Sequence, residues 1–272
     1  MVNLIDRDTR MCISLAARPG NHGNRFHNFL YAELGLNFVY KSFTSSDIGA
    51  TIGGIRSLGI RGTSVSMPYK ESCMEFLDAL DPSAAAIDSV NTIVNDDGVL
   101  TGYNTDYLAI RSVLTTHAVP LDDDFAVLGS GGMAKAVVAA LVDSGFSRGV
   151  VVARNVETGR ALAARYGIET VTDLGGRRPR LLVNASPVGM AGGPGSDDLA
   201  FAEPVVAAAS TVMDVVYLPV RTPLVRLATS LGRTVLTGDA VMRLQALEQF
   251  VLYTGVRPTD EQVDRAEEYA SA

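Results

Sequence analysis

Leu128-Gly129-Ser130-Gly131-Gly132-Met133-Ala134-Lys135 completes the apolar run Phe125–Leu128 and opens an alanine-rich helical pattern, and farther on comes Val150-Val151-Val152-Ala153-Arg154. The order is strand, glycine turn, helix and second strand, ending in a base. Glycines in such a turn remove the Cβ atoms that would block a pyrophosphate, and the helix N-terminus turns free N–H groups and a partial positive charge toward it. A glycine-rich turn alone serves equally well as a tight turn in any α/β protein. With both flanking strands and the helix in place, the stretch predicts a dinucleotide site.

Outward from this stretch, Val156–Tyr166 has helical spacing, and Leu181–Asn184, Thr211–Val216 and Thr234–Leu236 are predicted strands. Thr222-Pro223 supplies an N-cap and a first-turn proline for a helix ending near Leu231. The alternation predicts an α/β fold in which residues 107–238 form a Rossmann-type, doubly wound dinucleotide-binding domain. Toward the N-terminus, strands are predicted at Met11–Leu15, Phe38–Phe43 and Thr63–Ser66, with helices at Arg25–Leu34, after Ser46 and over Lys70–Leu80. Val90–Asn95 and Val99–Tyr103 flank Asp96-Asp97-Gly98, a hairpin signal, and Asp106 is predicted to cap a helix running to about Thr116. From Asp239 two helical patterns run on, separated by Gly255 and Pro258. They are expected to pack back onto the N-terminal part. The predicted architecture is therefore two domains: a discontinuous α/β substrate-binding catalytic domain of residues 1–106 completed by 239–272, and the nucleotide domain between.

The 272 residues are 47% hydrophobic and 19% charged, the balance of a compact folded chain. A formal charge of -7 argues against a nucleic-acid or anionic-membrane surface, although a local basic pocket can still hold a phosphate. Cys12 and Cys73 have no paired spacing, and His22, His27 and His117 show no ligand spacing with acidic residues, so neither a disulfide framework nor a metal is expected. Met1–Arg10 alternates charges where a leader would be basic and then apolar, and no apolar run is long enough to span a bilayer. The expected setting is cytoplasmic. No heptad pattern is legible, which leaves monomer and homodimer both open.

A dinucleotide site without a metal or nucleophile motif suggests hydride transfer, since the nicotinamide itself performs the difficult step. The protein must then handle a proton, for which a lysine near a carboxylate is suited. Lys70 follows Met67-Pro68-Tyr69 at a strand-to-helix turn, and Asp106 follows Gly102-Tyr103-Asn104-Thr105 at another helix start. Each has a plainer reading, the lysine as a solvated charge and the aspartate as an N-cap. Asn91 likewise could merely end a strand, Asn184 could begin an Asx-turn, and Gln245 could be a buried helix amide.

The motifs Ser64-Val65-Ser66-Met67-Pro68-Tyr69-Lys70, Ser89-Val90-Asn91-Thr92, Asn104-Thr105-Asp106, Gly129-Ser130-Gly131-Gly132-Met133-Ala134, Asn184-Ala185-Ser186-Pro187-Val188-Gly189-Met190, Asp214-Val215-Val216-Tyr217-Leu218-Pro219, Thr222-Pro223-Leu224 and Gln245-Ala246-Leu247-Glu248-Gln249-Phe250 stand in this order along nearly the whole chain. In order and spacing they resemble the shikimate dehydrogenase family. The resemblance implies NADP-dependent interconversion of 3-dehydroshikimate and shikimate, or of a closely related small hydroxy acid, with Lys70 and Asp106 as the catalytic pair. It implies that Ser66, Asn91, Tyr217 and Gln245 contact the substrate. Gly129, Ser130, Gly131, Gly132, Met133, Ala134, Arg154, Asn155, Asn184, Ser186, Val188, Met190, Val216 and Gly238 are the cofactor-binding positions it implies. Ala153-Arg154-Asn155 carries no acid to bind a ribose 2′-hydroxyl, and the arginine of the family's Asn-Arg-Thr motif is kept, so NADP is expected over NAD.

One departure is local. The family's Ser-x-Ser pair, whose hydroxyls bind the substrate carboxylate, falls on Asn21 and Gly23 when His27-Asn28 is aligned. A glycine has no side-chain donor, so this contact is missing or comes from elsewhere, with Arg18 one candidate. Quinate or another polyol acid as substrate, or a ligand-sensing role with little turnover, are the alternative expectations.

Overall fold

The computed structural model describes residues 5–272, so the expectation drawn for Met1–Arg10 falls partly outside the described residues. In chain order the elements are β1 (Arg10–Leu15), α1 (His22–Glu33), β2 (Phe38–Phe43), α2 (Ile48–Ser57), β3 (Gly62–Val65), α3 (Tyr69–Ser72), β4 (Ala79–Leu80), α4 (Pro82–Ala85), β5 (Thr92–Asp96) and β6 (Val99–Tyr103). Then come α5 (Thr105–Thr116), β7 (Phe125–Leu128), α6 (Gly132–Asp143), β8 (Gly149–Val152), α7 (Val156–Arg165), β9 (Glu169–Val171), β10 (Leu181–Asn184), α8 (Glu203–Ala208), β11 (Thr211–Asp214), α9 (Pro223–Ser230) and β12 (Thr234–Thr237). Two helices close the chain, α10 (Gly238–Thr254) and α11 (Asp260–Ser271).

The chain divides into two compact units, one made of the chain up to Thr105 together with Arg243–Ala272, the other of Asp106–Met242. The first holds a mixed sheet of order β2-β1-β3-β5-β6-β4, in which β3, β5 and β6 run antiparallel as neighbours and the other pairs are parallel. One core gathers Phe26, Leu30 and Tyr31 of α1 with Phe250 and Tyr253 of α10 and Val263 of α11. Another packs Ile52 and Ile55 of α2 against Ile13, Val65 and Ile93 of the strands. Helix α11 starts on a capping box, the Thr259 hydroxyl accepting from Gln262 N while the Gln262 side chain accepts from Thr259 N. Arg61 ties α10 back to the sheet by donating to the carbonyls of Leu252 and Tyr253 near its C-terminus and to Asn95 O.

The second unit is an all-parallel sheet of order β12-β11-β10-β7-β8-β9, the doubly wound arrangement. Its inner strands read FAVL, VVV, LLVN and TVMD because both faces are covered, so the alternation of a one-sided strand is absent. Helix α7 begins where the Asn155 side chain accepts from Glu157 N and Thr158 N, and α9 where Thr222 Oγ1 accepts from Val225 N. Among the described residues no helix is long and apolar enough to cross a membrane.

Two expectations are corrected. The helical spacing over Lys70–Leu80 becomes α3, a single 3-10 turn at Met74–Phe76, and then β4. The main chain finds better partners on β6, Asp78 N donating to Leu100 O and Asp81 N to Gly102 O, while Leu77 and Leu80 fill the space left by the missing side chain of Gly102. Asp106 does not cap α5. The helix already includes Thr105, and Asp106 sits inside its first turn, where a carboxylate complements the helix dipole. The short β9 and α8 carry no periodicity that would predict them.

Candidate active site

In the first unit, three chain segments converge beyond the end of β3. Val65 N donates to Asn91 O (2.7 Å), Ser66 N to Leu15 O (2.8 Å), and Val90 N to Lys70 O (2.9 Å), so main-chain bonds bring Ser66, Lys70 and Asn91 together. Asn91 N in turn donates to Tyr103 O, which sets the end of β6 alongside. Ser66 is exposed and Lys70 half-buried. Asn91 is 1% exposed, and its Oδ1 accepts from Thr92 Oγ1 (2.8 Å), Thr105 N (2.8 Å) and Thr105 Oγ1 (3.1 Å). Among the described residues Asn91 Nδ2 has no hydrogen-bond partner. Leaving a buried amide donor unpaired costs about 1–3 kcal/mol, a cost relieved by any ligand oxygen that accepts from it.

Gln245 is half-buried on α10, and Gln249, one turn on and on the same face, is the buried one. Gln249 Nε2 donates to Thr92 Oγ1 (3.0 Å) and Asn91 O (3.3 Å). Nearby, His27 is wholly buried, stacked on Tyr40 at 4.4 Å between ring centroids. Burial, with the His22 charge adding to it, holds its pKa down to about 3. Tyr40 is buried as well, and burial raises its phenol above the ordinary range. At Gly23 a Cβ atom would lie 3.5 Å from that hydroxyl, so Tyr40 borders the place from which the expected serine is missing. Asn21 and Arg18 are both exposed.

The second unit carries the remaining positions. Gly129 follows β7 with φ +125, and a Cβ there would lie 2.7 Å from Ala185 O in the turn after β10. These two turns meet where the strand order reverses, the crevice in which open α/β sheets hold ligands. Gly131 and Gly132 differ from Gly129, because a Cβ on either meets no atom within 4 Å. The chain's own packing therefore makes no demand for glycine there, whereas a pyrophosphate against the backbone does. Helix α6 starts at Gly132 without a side-chain cap, leaving its first N–H groups to an anion. The residues fit a dinucleotide. Ser130 bonds Thr158 of α7 (2.8 Å), Met133 is half-buried, and Ala134 is fully buried. Arg154 is exposed just past β8, beside Asn155, whose side chain is engaged in capping α7.

Asn184 is fully buried, and its Nδ2 donates to Val188 O and Asp214 Oδ1, while its Oδ1 accepts from Ser186 N and Oγ. It is thus the Asx-turn residue that shapes the Ser186–Met190 loop. Asp214, absent from the predicted site, anchors this loop. Its carboxylate also accepts from Val216 N (3.1 Å) and Thr222 Oγ1 (2.6 Å), and burial pushes its pKa up against those bonds. Gly238 packs directly on the Val216 carbonyl, 2.3 Å from where a Cβ would stand. Val216 is buried, Tyr217 and Val188 are half-buried, and Met190 is exposed. Asp106, in the same unit, is 4% exposed. The signal for Asp214 was in the sequence, as an acid two residues before Val216. The signal for Gln249 was not, because it and Gln245 share one helical pattern.

A family model described as the shikimate dehydrogenase substrate binding domain matches residues 23–93. A shikimate dehydrogenase-like protein of Haemophilus influenzae is 51% identical over 267 residues, covering 98% of each chain. A shikimate dehydrogenase (NADP(+)) of Pyrococcus abyssi is 34% identical over 262 residues, covering 92% of this chain and 95% of the relative. Among solved structures, a shikimate 5-dehydrogenase-like protein superposes with a TM-score of 0.97 at 50% identity, covering 99% of this chain and 100% of that one. The shikimate 5-dehydrogenase of Thermus thermophilus, in complex with NADP(H) and shikimate, does so with a TM-score of 0.82 at 29% identity, over 96% and 99% of the two chains. With both folded units matched from end to end, the chain belongs to the shikimate dehydrogenase family.

Proposed function

We propose that this protein is an NADP-dependent oxidoreductase of the cytoplasm that interconverts 3-dehydroshikimate and shikimate, or a closely related alicyclic hydroxy acid. The observation that carries the reading is the unpaired, buried Nδ2 of Asn91 beside Lys70, a donor held ready for a ligand oxygen. NADP, when bound, takes up the hydride released in alcohol oxidation and returns it in ketone reduction. Lys70 receives the hydroxyl proton as the carbon loses hydride, and Asp106 balances the resulting ammonium. Asn91 and Gln245 hold ring hydroxyls, with Ser66 and Tyr217 as further contacts. Amides both donate and accept, so such a site rejects analogues that lack the hydroxyls. Arg154 would pair with the 2′-phosphate, and Gly129–Ala134 would hold the pyrophosphate. Asn184, Ser186, Val188, Met190, Val216 and Gly238 shape or line the nicotinamide side. The missing serine at Gly23 supports a second reading, in which a relative of shikimate such as quinate is the better substrate.

The test is steady-state reduction of NADP⁺ and NAD⁺ with shikimate, quinate and a panel of hydroxy acids, repeated with Lys70→Ala. The expected result is preference for NADP⁺ and a loss of roughly 10²–10⁴-fold in kcat for Lys70→Ala with NADP⁺ binding retained. An unchanged kcat removes Lys70 from the chemistry, and equal efficiency with both nucleotides removes Arg154 from cofactor choice.

A further inference from the structure

Behind Asn91 lies a buried polar path that the proposed reaction does not use. It runs from Gln249 on α10 to Thr92 at the head of β5 and on to Asn91, with exposures of 3%, 0% and 1%. Polar side chains buried in series are costly unless the hydrogen-bond direction of each agrees with the next.

Those directions follow atom by atom. The Asn91 carbonyl can only accept, so the Gln249 atom facing it at 3.3 Å is the donor Nε2, which also reaches Thr92 Oγ1 at 3.0 Å. The same Nε2 lies 3.4 Å from Ser64 Oγ, a third oxygen on the same side. Thr92 Oγ1, receiving a proton from Gln249, directs its own to Asn91 Oδ1 at 2.8 Å. Thr105 N–H adds a second donor to the same oxygen, also at 2.8 Å. Oδ1 is then satisfied, and Nδ2 is the end of the amide left to face a ligand.

We propose that Gln249 is a positioning residue for Asn91. By directing the Thr92 hydroxyl onto Asn91 Oδ1, and by holding the Asn91 main chain, it keeps the amide presented as a donor to a substrate hydroxyl oxygen. This role rests on the reading of Asn91 as a substrate contact.

The experiment measures kcat and KM for shikimate with NADP⁺ saturating, and NADP⁺ affinity alongside, for Gln249→Met, Thr92→Val, Thr92→Ser, the Gln249→Met/Thr92→Val double variant and Asn91→Ala. Gln249→Met and Thr92→Val should each raise KM about five- to tenfold, with kcat within about threefold and NADP⁺ affinity unchanged. Thr92→Ser, which keeps the hydroxyl, should restore the original KM, and the double variant should be no worse than the poorer single one. Gln249→Leu also lacks the donor, and it should raise KM in the same way if Gln249→Met does not fold. Additive losses, a Thr92→Ser as poor as Thr92→Val, or an unchanged KM in the Gln249 variants would overturn the role. Asn91→Ala separates the two levels. If it raises KM while the Gln249 and Thr92 variants do not, only the positioning role falls. If Asn91→Ala leaves KM unchanged, or shikimate neither reacts nor binds, the substrate reading fails and takes this role with it.

Discussion

Tyr40 borders the position where the resemblance places a serine and this chain has Gly23. Gly23 has no donor to offer, yet the Tyr40 hydroxyl stands 3.5 Å from where its Cβ would be. A hydrogen bond to a charged group contributes about 1.5–3 kcal/mol. Tyr40→Phe, which keeps the stack on His27, should therefore raise KM for a carboxylated substrate roughly ten- to hundredfold while kcat changes little. An unchanged KM would leave the carboxylate to another group such as Arg18. His27 carries a second expectation. Its pKa falls from 6.5 to about 3 on folding because burial penalises the charged ring. Below the unfolded value the denatured chain binds a proton that the native chain refuses, so stability is full above 6.5 and falls as pH drops. Between pH 6 and 5, chemical denaturation should show stability declining by up to ~1.4 kcal/mol per pH unit more in the native protein than in His27→Phe. Equal slopes in the two proteins would mean that the ring takes up a proton without loss. At this scale the sequence revealed residues that sit in rigid turns, such as Lys70 and Asn91, because proline and strand ends leave a local mark. It did not single out Gln249 or Tyr40, because what lies beside them is supplied by other segments.

At the scale of elements, the glycine turn was readable because strand, turn and helix each have their own signature and all agree. Its glycines nevertheless do different work. Gly129 answers to the protein, with φ +125 and the Ala185 carbonyl 2.7 Å from a Cβ, whereas Gly131 has ordinary φ -83 and open space around it. Gly131→Ala should keep the melting temperature within about 2 °C while weakening NADP⁺ binding, and Gly129→Ala should lower the melting temperature by several degrees. Thermal melts paired with nucleotide titration check both, and a Gly131→Ala that binds NADP⁺ as well as the parent would mean the phosphates lie elsewhere. The elements that escaped the sequence are short ones. Over Lys70–Leu80 the apolar spacing is helical, but Leu77 and Leu80 are spaced to straddle Gly102, and the hydrogen bonds offered by β6 prevail over helix propensity. β9, with three residues, is too short to display any period at all.

At the scale of the whole molecule, the chain leaves its first unit at Thr105 and returns to it at Arg243. The predicted return of the last helices came from their apolar spacing, and no local signal showed which core they complete. That core is specific: Leu247, Phe250 and Tyr253 of α10 and Val263 and Ala266 of α11 pack on Phe26, Leu30 and Tyr31 of α1. The second unit needs none of them, since Val205, Val206, Leu224 and Ala228 of its own helices cover Leu182 and Val212 of its sheet. A chain ending at Met242 should therefore keep a cooperatively folded Asp106–Met242 unit that binds NADP⁺, while the N-terminal sheet loses the helices that bury one of its faces. Removing those apolar side chains, at about 1.5–3 kcal/mol each, takes away an amount comparable with the usual 5–15 kcal/mol stability of a domain. Amide hydrogen exchange on the truncated chain should show protection confined to β7–β12 and their helices, with rapid exchange in β1–β6 and no binding of shikimate. Protection of β1 and β3 at the level of the intact protein would mean that α2 and the strands alone hold the first unit, and that the terminal helices serve the substrate site and not the fold.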